Sequence, residues 1–308
     1  MLDTHKITIF LAAVEESSFS AAAKKLRMSQ PAVSLQIQAL ERKMGIELFR
    51  RTGRNVVLTE AGHALVPLAR QMMGLSNHIE ETMFSLRGKL IGQLTIGCAA
   101  TPAQYILPRL ILLFRQQHPE VNIQLNVMDQ ETALEKVLAQ EIHMGVLGYE
   151  PRHRIIKTRE FMEDETVLLV PKGHPWASQT EVSLRDLQDG GTPLLREQGH
   201  SATDPIWREL KRFAKSPGLF ENIMELGCPE AVISAVDAGL GIAILSKIAA
   251  RRAAEAGRGA VLPFKEGPFK RTLYFFSNAE HPEVCVRVGF CDFIHTEEVS
   301  ALIQQWTA

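Results

Sequence analysis

Residues 1–60 carry apolar side chains at the spacing of short helices. In the first segment the apolar residues recur at i, i+3, i+4 and i+7, which places them on one helical face: Ile7, Phe10, Leu11 and Val14. A second helix is predicted over residues 21–26, with Ser20 as its N-terminal cap. A third follows the cap Ser29 and ends at Gly45, so this region is predicted to be densely helical.

The third helix has one apolar side and one mixed side. Four positions form its predicted buried stripe: Val33, Ile37, Leu40 and Met44. Two short apolar runs then flank a turn at residues 52–55, which predicts a β-hairpin over residues 47–58. Three arginines lie at and around the tip of this hairpin: Arg50, Arg51 and Arg54.

A long helix is predicted from Thr59 onward, with Thr59 as its cap. Its apolar residues alternate between spacings of four and three, and Thr82 takes the one polar position of the seam: Ala61, Leu65, Leu68, Met72, Leu75, Ile79 and Leu86. This alternation is typical of a coiled-coil seam, which needs a partner helix. A single amphipathic helix lying on a core would give the same pattern. Pro67 and Gly74 favour the paired interpretation, because they weaken a helix that stands alone.

Residues 93–308 alternate short apolar runs with helical patterns. The runs predicted as strands are 94–97, 121–128, 144–147, 166–170, 194–195 and 242–245, and the helical stretches are 102–118, 132–140, 204–215 and 229–238. This alternation predicts an α/β fold with a largely parallel sheet. Its length suits two lobes better than one, and we assign about 93–163 with 269–308 to lobe I and about 164–268 to lobe II.

Composition excludes several classes of protein. The chain has 308 residues, of which 45% are hydrophobic and 22% charged, so neither wholesale disorder nor a fibrous repeat fits. No apolar run approaches the roughly 18 residues that span a bilayer, and we interpret residues 7–14 as a buried helix rather than a signal peptide. Four cysteines without C-x-x-C spacing predict a reducing, cytoplasmic location.

Charge is unevenly distributed along the chain. Residues 1–88 hold 11 Lys and Arg against 8 Asp and Glu, a net charge of +3, whereas the rest carries −4. A basic N-terminal region favours a partner with phosphates, although chance would also give a charge asymmetry of this size. Two helices joined by a tight turn can place the second in the major groove of DNA. Candidate DNA contacts on that helix and the hairpin are Gln30, Pro31, Ala32, Ser34, Leu35, Gln38, Arg50, Arg51 and Arg54.

A nearly continuous motif over about sixty residues resembles the N-terminal domain of LysR-type transcriptional regulators. It comprises the segments Phe19–Leu26, Ser29–Ile37, Leu40–Glu41 with Gly45, Leu48–Arg51 and Leu58–Gly62. It departs at Leu35, where many members carry Arg. Looser similarity to the effector domain of that family continues downstream at Tyr105–Pro108, Phe161–Asp164, His174–Pro175 and Gly239–Ala243, so the whole chain is covered.

The resemblance implies three segments with different functions along the chain. Residues 1–58 would form a winged helix–turn–helix domain, 59–88 a linker helix that dimerises two chains, and 89–308 an effector domain. That domain would have two Rossmann-like α/β lobes similar to periplasmic binding proteins. The family also implies a homotetramer that binds double-stranded DNA under small-molecule control. We expect no cofactor and no membrane partner. The seam by itself predicts only pairing.

The effector site is expected where parallel strands end and helices begin. Helix N-termini offer free N–H groups, which suit an anionic ligand. The candidate contacts are Ala100, Thr101, Gln130, Thr132, His200, Ser201, Thr203 and Gly227. Thr101 and Thr132 could instead be simple helix caps, and a residue can have both roles at once. Glu131 would bring negative charge near this cleft.

The sequence argues against redox sensing and against catalysis. Residues 197–201 are similar to the sensing loop of peroxide-sensing members, but Ser201 stands where those carry Cys, so a disulfide switch is not expected. Cys98 is interpreted as a small core residue. The sequence has no catalytic motif and no closed zinc site, since Cys291 and His295 are only two potential ligands. A binding receptor or an enzyme with an added helical domain are the rival functions.

Overall fold

The computed structural model describes residues 3–52, 55–85, 89–189, 192–198, 205–214, 223–280 and 285–307. The N-terminal elements are α1 (Thr4–Glu16), α2 (Phe19–Lys25), α3 (Gln30–Met44), β1 (Phe49–Thr52), β2 (Asn55–Leu58) and α4 (Glu60–Ser85). Helix, turn, helix and hairpin therefore follow one another in the predicted order. The predicted cap Ser20 is wrong: Ser18 caps α2, because its extended backbone lets its side chain accept from the amide of Ala21.

The first three helices and the hairpin share one apolar core. Phe10 is fully buried, and its ring and that of Phe19 both contact Phe49 of β1, with centroids 5.5 and 5.3 Å apart. Three of the four residues predicted as the buried stripe of α3 belong to this core. Met44 does not: it is exposed at the last residue of α3.

Helix α4 divides its apolar residues between two surroundings. Ala69 is buried against the N-terminal core, and the partly buried Ala61, Leu65 and Met72 pack there as well. Other positions of the predicted seam face outward, with Leu68 61%, Leu75 52% and Ile79 55% exposed. The packing on a core thus holds for part of the helix, and pairing through the exposed part stays a prediction. Leu86 lies outside the described residues.

Among the described residues, nine strands form one continuous sheet. They are β3 (Gly92–Cys98), β4 (Val121–Val127), β5 (Met144–Leu147), β6 (Ile156–Val170), β7 (Leu194–Glu197), β8 (Ile223–Leu226), β9 (Ile242–Ser246), β10 (Ala260–Leu262) and β11 (Phe269–Asn278). The order is β4-β3-β5-β11-β6-β9-β7-β8, and β10 also pairs with β6.

The prediction of a largely parallel sheet holds only for three outer strands at each end of the sheet. Strands β4, β3 and β5 are parallel, and so are β8, β7 and β9. The long strands β6 and β11 run between these groups, antiparallel to each other and to their outer neighbours. The sequence indicated only the last five residues of β6, because the burial of its first half is irregular along the strand.

Helices cover both lobes. A π-helical turn (Pro102–Ile106) leads into α5 (Leu107–Gln117), where the sequence predicted one continuous helix. The others are α6 (Gln130–Leu138), α7 (Asp186–Asp189), α8 (Pro205–Ala214), α9 (Pro229–Asp237), α10 (Lys247–Glu255), α11 (Cys285–Phe293) and α12 (Glu297–Thr307), besides a 3-10 turn at Pro175–Ser178. Of the helices in the described part of the chain, none combines the length and apolarity that crossing a bilayer requires.

Candidate functional site

The outer side of α3 is a surface of mixed chemistry. The predicted cap Ser29 is confirmed, since its hydroxyl accepts from the amide of Ala32 at 3.3 Å. Gln30, Pro31 and Gln38 are exposed, and Ala32 and Ser34 are half-exposed. Leu35 lies among them with 59% of its surface accessible, although it is a large apolar residue. Over residues 30–38 the outer side of α3 therefore presents hydrogen-bonding amides around the apolar Leu35.

The hairpin is fixed relative to α3 by a carboxylate. Glu41 Oε1 accepts from the backbone amides of Leu48 at 2.8 Å and Phe49 at 3.2 Å. Gly62, in the first turn of α4, lies so close to the Leu48 carbonyl that any Cβ would clash with its oxygen. Sequence reasoning had not assigned a role to Glu41, because its partners are backbone groups.

The hairpin arginines are described only in part. Arg50 on β1 is exposed, next to Phe49, which belongs to the core shared with α3. Arg51 has its backbone in the same strand, and its side chain lies outside the described residues, as does the whole of Arg54.

A cavity of about 360 Å³ lies where the parallel strands of both lobes end. β3 and β4 end at its first wall, and β7 and β8 end at its second, in the arrangement expected for a ligand site of an α/β sheet. Of the predicted effector contacts, four line this cavity: Ala100, Thr101, Gln130 and Gly227. The predicted helix-terminus location thus matches a space large enough for a metabolite.

Two hydrogen bonds connect the lobes beside this cavity. Thr101 follows β3, and its hydroxyl donates to Glu197 Oε2 at the end of β7 over 3.1 Å, with both residues buried. Tyr105 donates to Glu230 of α9 over 3.2 Å. Thr101 directly precedes the π-helical turn, but its side chain makes no capping bond there. It therefore serves the contact between lobes rather than the helix start.

A buried ion pair supports the floor of the cavity. Arg271 of β11 lines it and donates from Nε and Nη2 to Asp164 Oδ2 at 3.2 and 3.0 Å. The other oxygen of Asp164 accepts from the hydroxyl of Ser246 at 2.6 Å, and this carboxylate is fully buried. Sequence reasoning missed Arg271 because β11 itself was not predicted.

The remaining predicted contacts are located differently. Thr132 is not among the lining residues: its hydroxyl donates to Asp129 Oδ2 at 2.6 Å, and Asp129 caps α6. The negative charge of the cavity comes from Asp129 and Glu197 rather than from Glu131. Gln130 accepts from the amide of Gly148 at 3.1 Å. His200, Ser201 and Thr203 lie outside the described residues.

The described cysteines give no sign of sensing chemistry. Cys98 is fully buried, and burial raises the pKa of its thiol to about 12, which agrees with its interpretation as a core residue. Burial also raises the pKa of Cys291. All four cysteines are unpaired, and no cluster of three or more potential metal ligands occurs in the ranges that the structure describes.

Comparison with known proteins accounts for both regions. Residues 87–294 match the family model of the LysR substrate binding domain, and residues 4–63 match the bacterial regulatory helix-turn-helix protein model of the lysR family. The chain belongs to the LysR family of transcriptional regulators. Similar proteins include the RuBisCO operon transcriptional regulator of Allochromatium vinosum, 31% identical over 87% of each chain. Another is the transcriptional activator CmpR of a Synechocystis strain, 30% identical over 96% of each chain.

Solved structures of LysR-family proteins share the fold. Full-length CbnR in complex with its target DNA is 25% identical, with a TM-score of 0.64 over 95% of this chain and 99% of that one. Full-length OxyR of Pseudomonas aeruginosa has a TM-score of 0.72 at 21% identity, over 97% of this chain and 96% of that one. This LysR-family chain is thus a DNA-binding transcriptional regulator with an effector-binding domain, from a non-enzymatic family whose members oligomerise.

Proposed function

We propose that the exposed row of α3 reads base edges in the major groove while the hairpin holds the backbone. The observation that carries this is Leu35, an apolar side chain left 59% exposed between amide side chains. An apolar contact suits a thymine methyl group, and the amides of Gln30 and Gln38 suit an adenine edge. Arg50 supplies charge for a phosphate. The roles fall to residues 1–58, with 59–88 as linker and 89–308 as effector domain.

Operator selection from random DNA followed by sequencing tests this assignment. Gln38→Ala and Leu35→Ala are expected to change the preferred base at particular positions, because each removes one base contact worth about 1–3 kcal/mol. Arg50→Ala is expected to weaken binding to all sequences alike and to lower its salt dependence. Gln71→Ala, at an exposed amide on α4, is the matched control. A selection profile unchanged by both α3 variants would exclude this face from base recognition.

We infer that α4 pairs two chains, so that two recognition helices meet two half-sites. The outward residues Leu68, Leu75 and Ile79 are spaced seven and four residues apart along the helix. A contiguous exposed apolar stripe of this kind marks an interface. A dimer of such dimers, the tetramer expected from the family, is our proposal for the form on DNA. Because the chain belongs to a bacterial family of DNA-binding regulators, we place it in the cytoplasm.

We further infer that a small polar metabolite binds between the lobes. An anionic group would meet the helix N-termini after β3 and β4, and a hydroxyl or amino group would donate to Glu197. The lining has two acidic residues, Asp129 and Glu197, against one basic residue, Arg271. An effector that carries only negative charge is therefore a poorer match than one that also donates hydrogen bonds.

A thermal-shift screen of the full chain tests this site with carboxylates, phosphates, sulfur anions, amino acids and aromatic acids. A ligand specific for the folded state stabilises it by about 2.7 kcal/mol at a hundred times its Kd. Thr101→Val is expected to abolish the response to a hit, whereas Thr158→Val, at a half-exposed threonine on β6, should preserve it. A response that survives Thr101→Val would place the ligand elsewhere.

A further inference from the structure

A second cavity, of about 170 Å³, lies between α5, α10 and α12. It has three arginines, one acid and an apolar wall, with the lining Arg109, Ile248, Arg251, Arg252, Glu255, Leu302, Gln305 and Trp306. None of these residues lines the cleft between the strand ends. This basic pocket is therefore a separate feature, and neither the DNA-contacting face nor the effector cleft uses it.

Arg251 carries the strongest indication of a ligand. Its Nη1 atom is shielded from solvent and has no hydrogen-bond partner among the described residues. Buried polar groups in proteins are almost always hydrogen-bonded, and an unsatisfied donor on a charged group is especially unfavourable. The guanidinium thus lacks a full set of acceptors, and Arg251 lines a pocket that has room for a ligand.

The other charges of the basic pocket point the same way. Within the described residues, Arg109 on α5 forms neither a hydrogen bond nor an ion pair. Arg252 makes only a long contact, 3.8 Å from Nη1 to Glu255 Oε2, between two side chains that are more than half exposed. Three arginines against one glutamate leave a net charge of +2. Such a pocket attracts a dianion.

We propose that the basic pocket binds a phosphate group. Guanidinium groups reach it from two different helices, and a tetrahedral phosphate offers them both a double negative charge and acceptor oxygens in three dimensions. The volume suits the phosphate of a small metabolite or inorganic phosphate itself. The apolar wall formed by Ile248, Leu302 and Trp306 limits hydration of the bound group.

Binding here would also act on the arrangement of the lobes. Arg109 belongs to α5 of the first lobe, whereas Arg251 and Arg252 belong to α10, which follows β9 in the second. A phosphate held by both helices stabilises the separation between them that the structure shows. Since the cleft lies between the same lobes, phosphate and effector would each change the affinity of the other.

Calorimetric titration of the full-length protein tests the proposal, with inorganic phosphate and glycerol phosphate as separate probes and ionic strength held constant with sodium chloride. Binding of at least one probe is expected. Arg251→Gln and Arg109→Gln should each weaken it about tenfold or more, the effect of losing one charge-assisted hydrogen bond. Tighter binding of glycerol phosphate than of inorganic phosphate would identify a phosphorylated metabolite as the ligand. Equal affinity for the two probes would identify free phosphate as the ligand.

Matched variants show whether the loss of affinity is specific to the basic pocket. Arg115→Gln removes the same charge from an exposed position of α5 and should leave phosphate affinity unchanged. If Arg251→Gln unfolds, the exposed Arg109→Gln still gives the answer. The proposal is overturned if the wild type binds neither probe, or if Arg115→Gln loses as much phosphate affinity as Arg109→Gln. It is also overturned if Thr101→Val, in the cleft, loses phosphate affinity while the arginine variants keep theirs.

Discussion

The buried pair between Asp164 and Arg271 offers a quantitative test of how the two lobes are joined. Asp164 has no exposed side-chain surface and Arg271 only 11%, and three hydrogen bonds converge on the carboxylate. Asp164→Ala leaves the guanidinium buried without its carboxylate. Breaking a buried pair by removing one partner typically destabilises by about 3–5 kcal/mol.

A matched substitution is available one residue away. Glu163 pairs with Lys270 at 2.8 Å on the same two strands, but their side chains are 55% and 46% exposed. Such surface pairs contribute about 0–1 kcal/mol, since solvent screens them. Glu163→Ala removes a carboxylate from the same strand without leaving a buried charge unpaired.

Thermal unfolding of the full chain, followed by calorimetry, compares the two variants. For a domain of about 150–250 residues, each kcal/mol lowers Tm by about 2–4 °C. The expected decrease in the effector-domain transition is therefore about 6–20 °C for Asp164→Ala and no more than about 4 °C for Glu163→Ala. Equal decreases for both variants would refute the argument that burial makes the Asp164–Arg271 pair indispensable.

Four further outcomes are expected. Ile79→Glu should shift the protein toward monomers in sedimentation while each chain stays folded, because Ile79 is 55% exposed; an unchanged oligomer would exclude this face of α4 from pairing. Ser29→Ala should lower the stability of the DNA-binding domain by about 1 kcal/mol in urea, and no change would mean that the cap is dispensable. Cys98, whose thiol pKa burial raises to about 12, should react with a thiol reagent at about pH 8 only after unfolding, and labelling of the native protein would contradict its burial. Hydrogen bonds from the hydroxyl and backbone amide of Thr132 lower the pKa of Asp129 below 3.8. The stability difference between the wild type and Asp129→Ala should therefore be largest above that pH. It should shrink as the pH falls through the pKa that Asp129 has in the folded protein. A difference independent of pH would contradict the capping role.

The DNA-binding region could be predicted closely because its signals are local. The helix caps Ser29 and Thr59 act on amides three residues further on, at 3.3 and 3.0 Å, and Gly45 ends α3 with a φ of +70°. The buried stripe of α3 failed only at Met44, where burial depends on a neighbouring element instead of on helical period.

The effector domain was predictable where strands are buried on both faces and helices follow directly. The short parallel strands β3, β5 and β9 stood out as apolar runs, and the residues after β3 and β4 were correctly expected at one edge of the sheet. The short strands β8 and β10 were missed. So were β11 and most of β6, whose polar and apolar residues are irregularly placed. Both β6 and β11 form strands because they pair with each other.

The sequence by itself determined the helix–turn–helix, the hairpin, the apolar stripe of α4 and the cleft location, since each depends on periodicity, caps or strand ends within a few residues. Only the tertiary structure decided which charges meet. Asp164 and Arg271 are 107 residues apart, and Thr101 and Glu197 are 96 apart. Such pairs form because strand pairing and lobe packing bring distant segments together, and no local pattern encodes the partner of a lone charged residue.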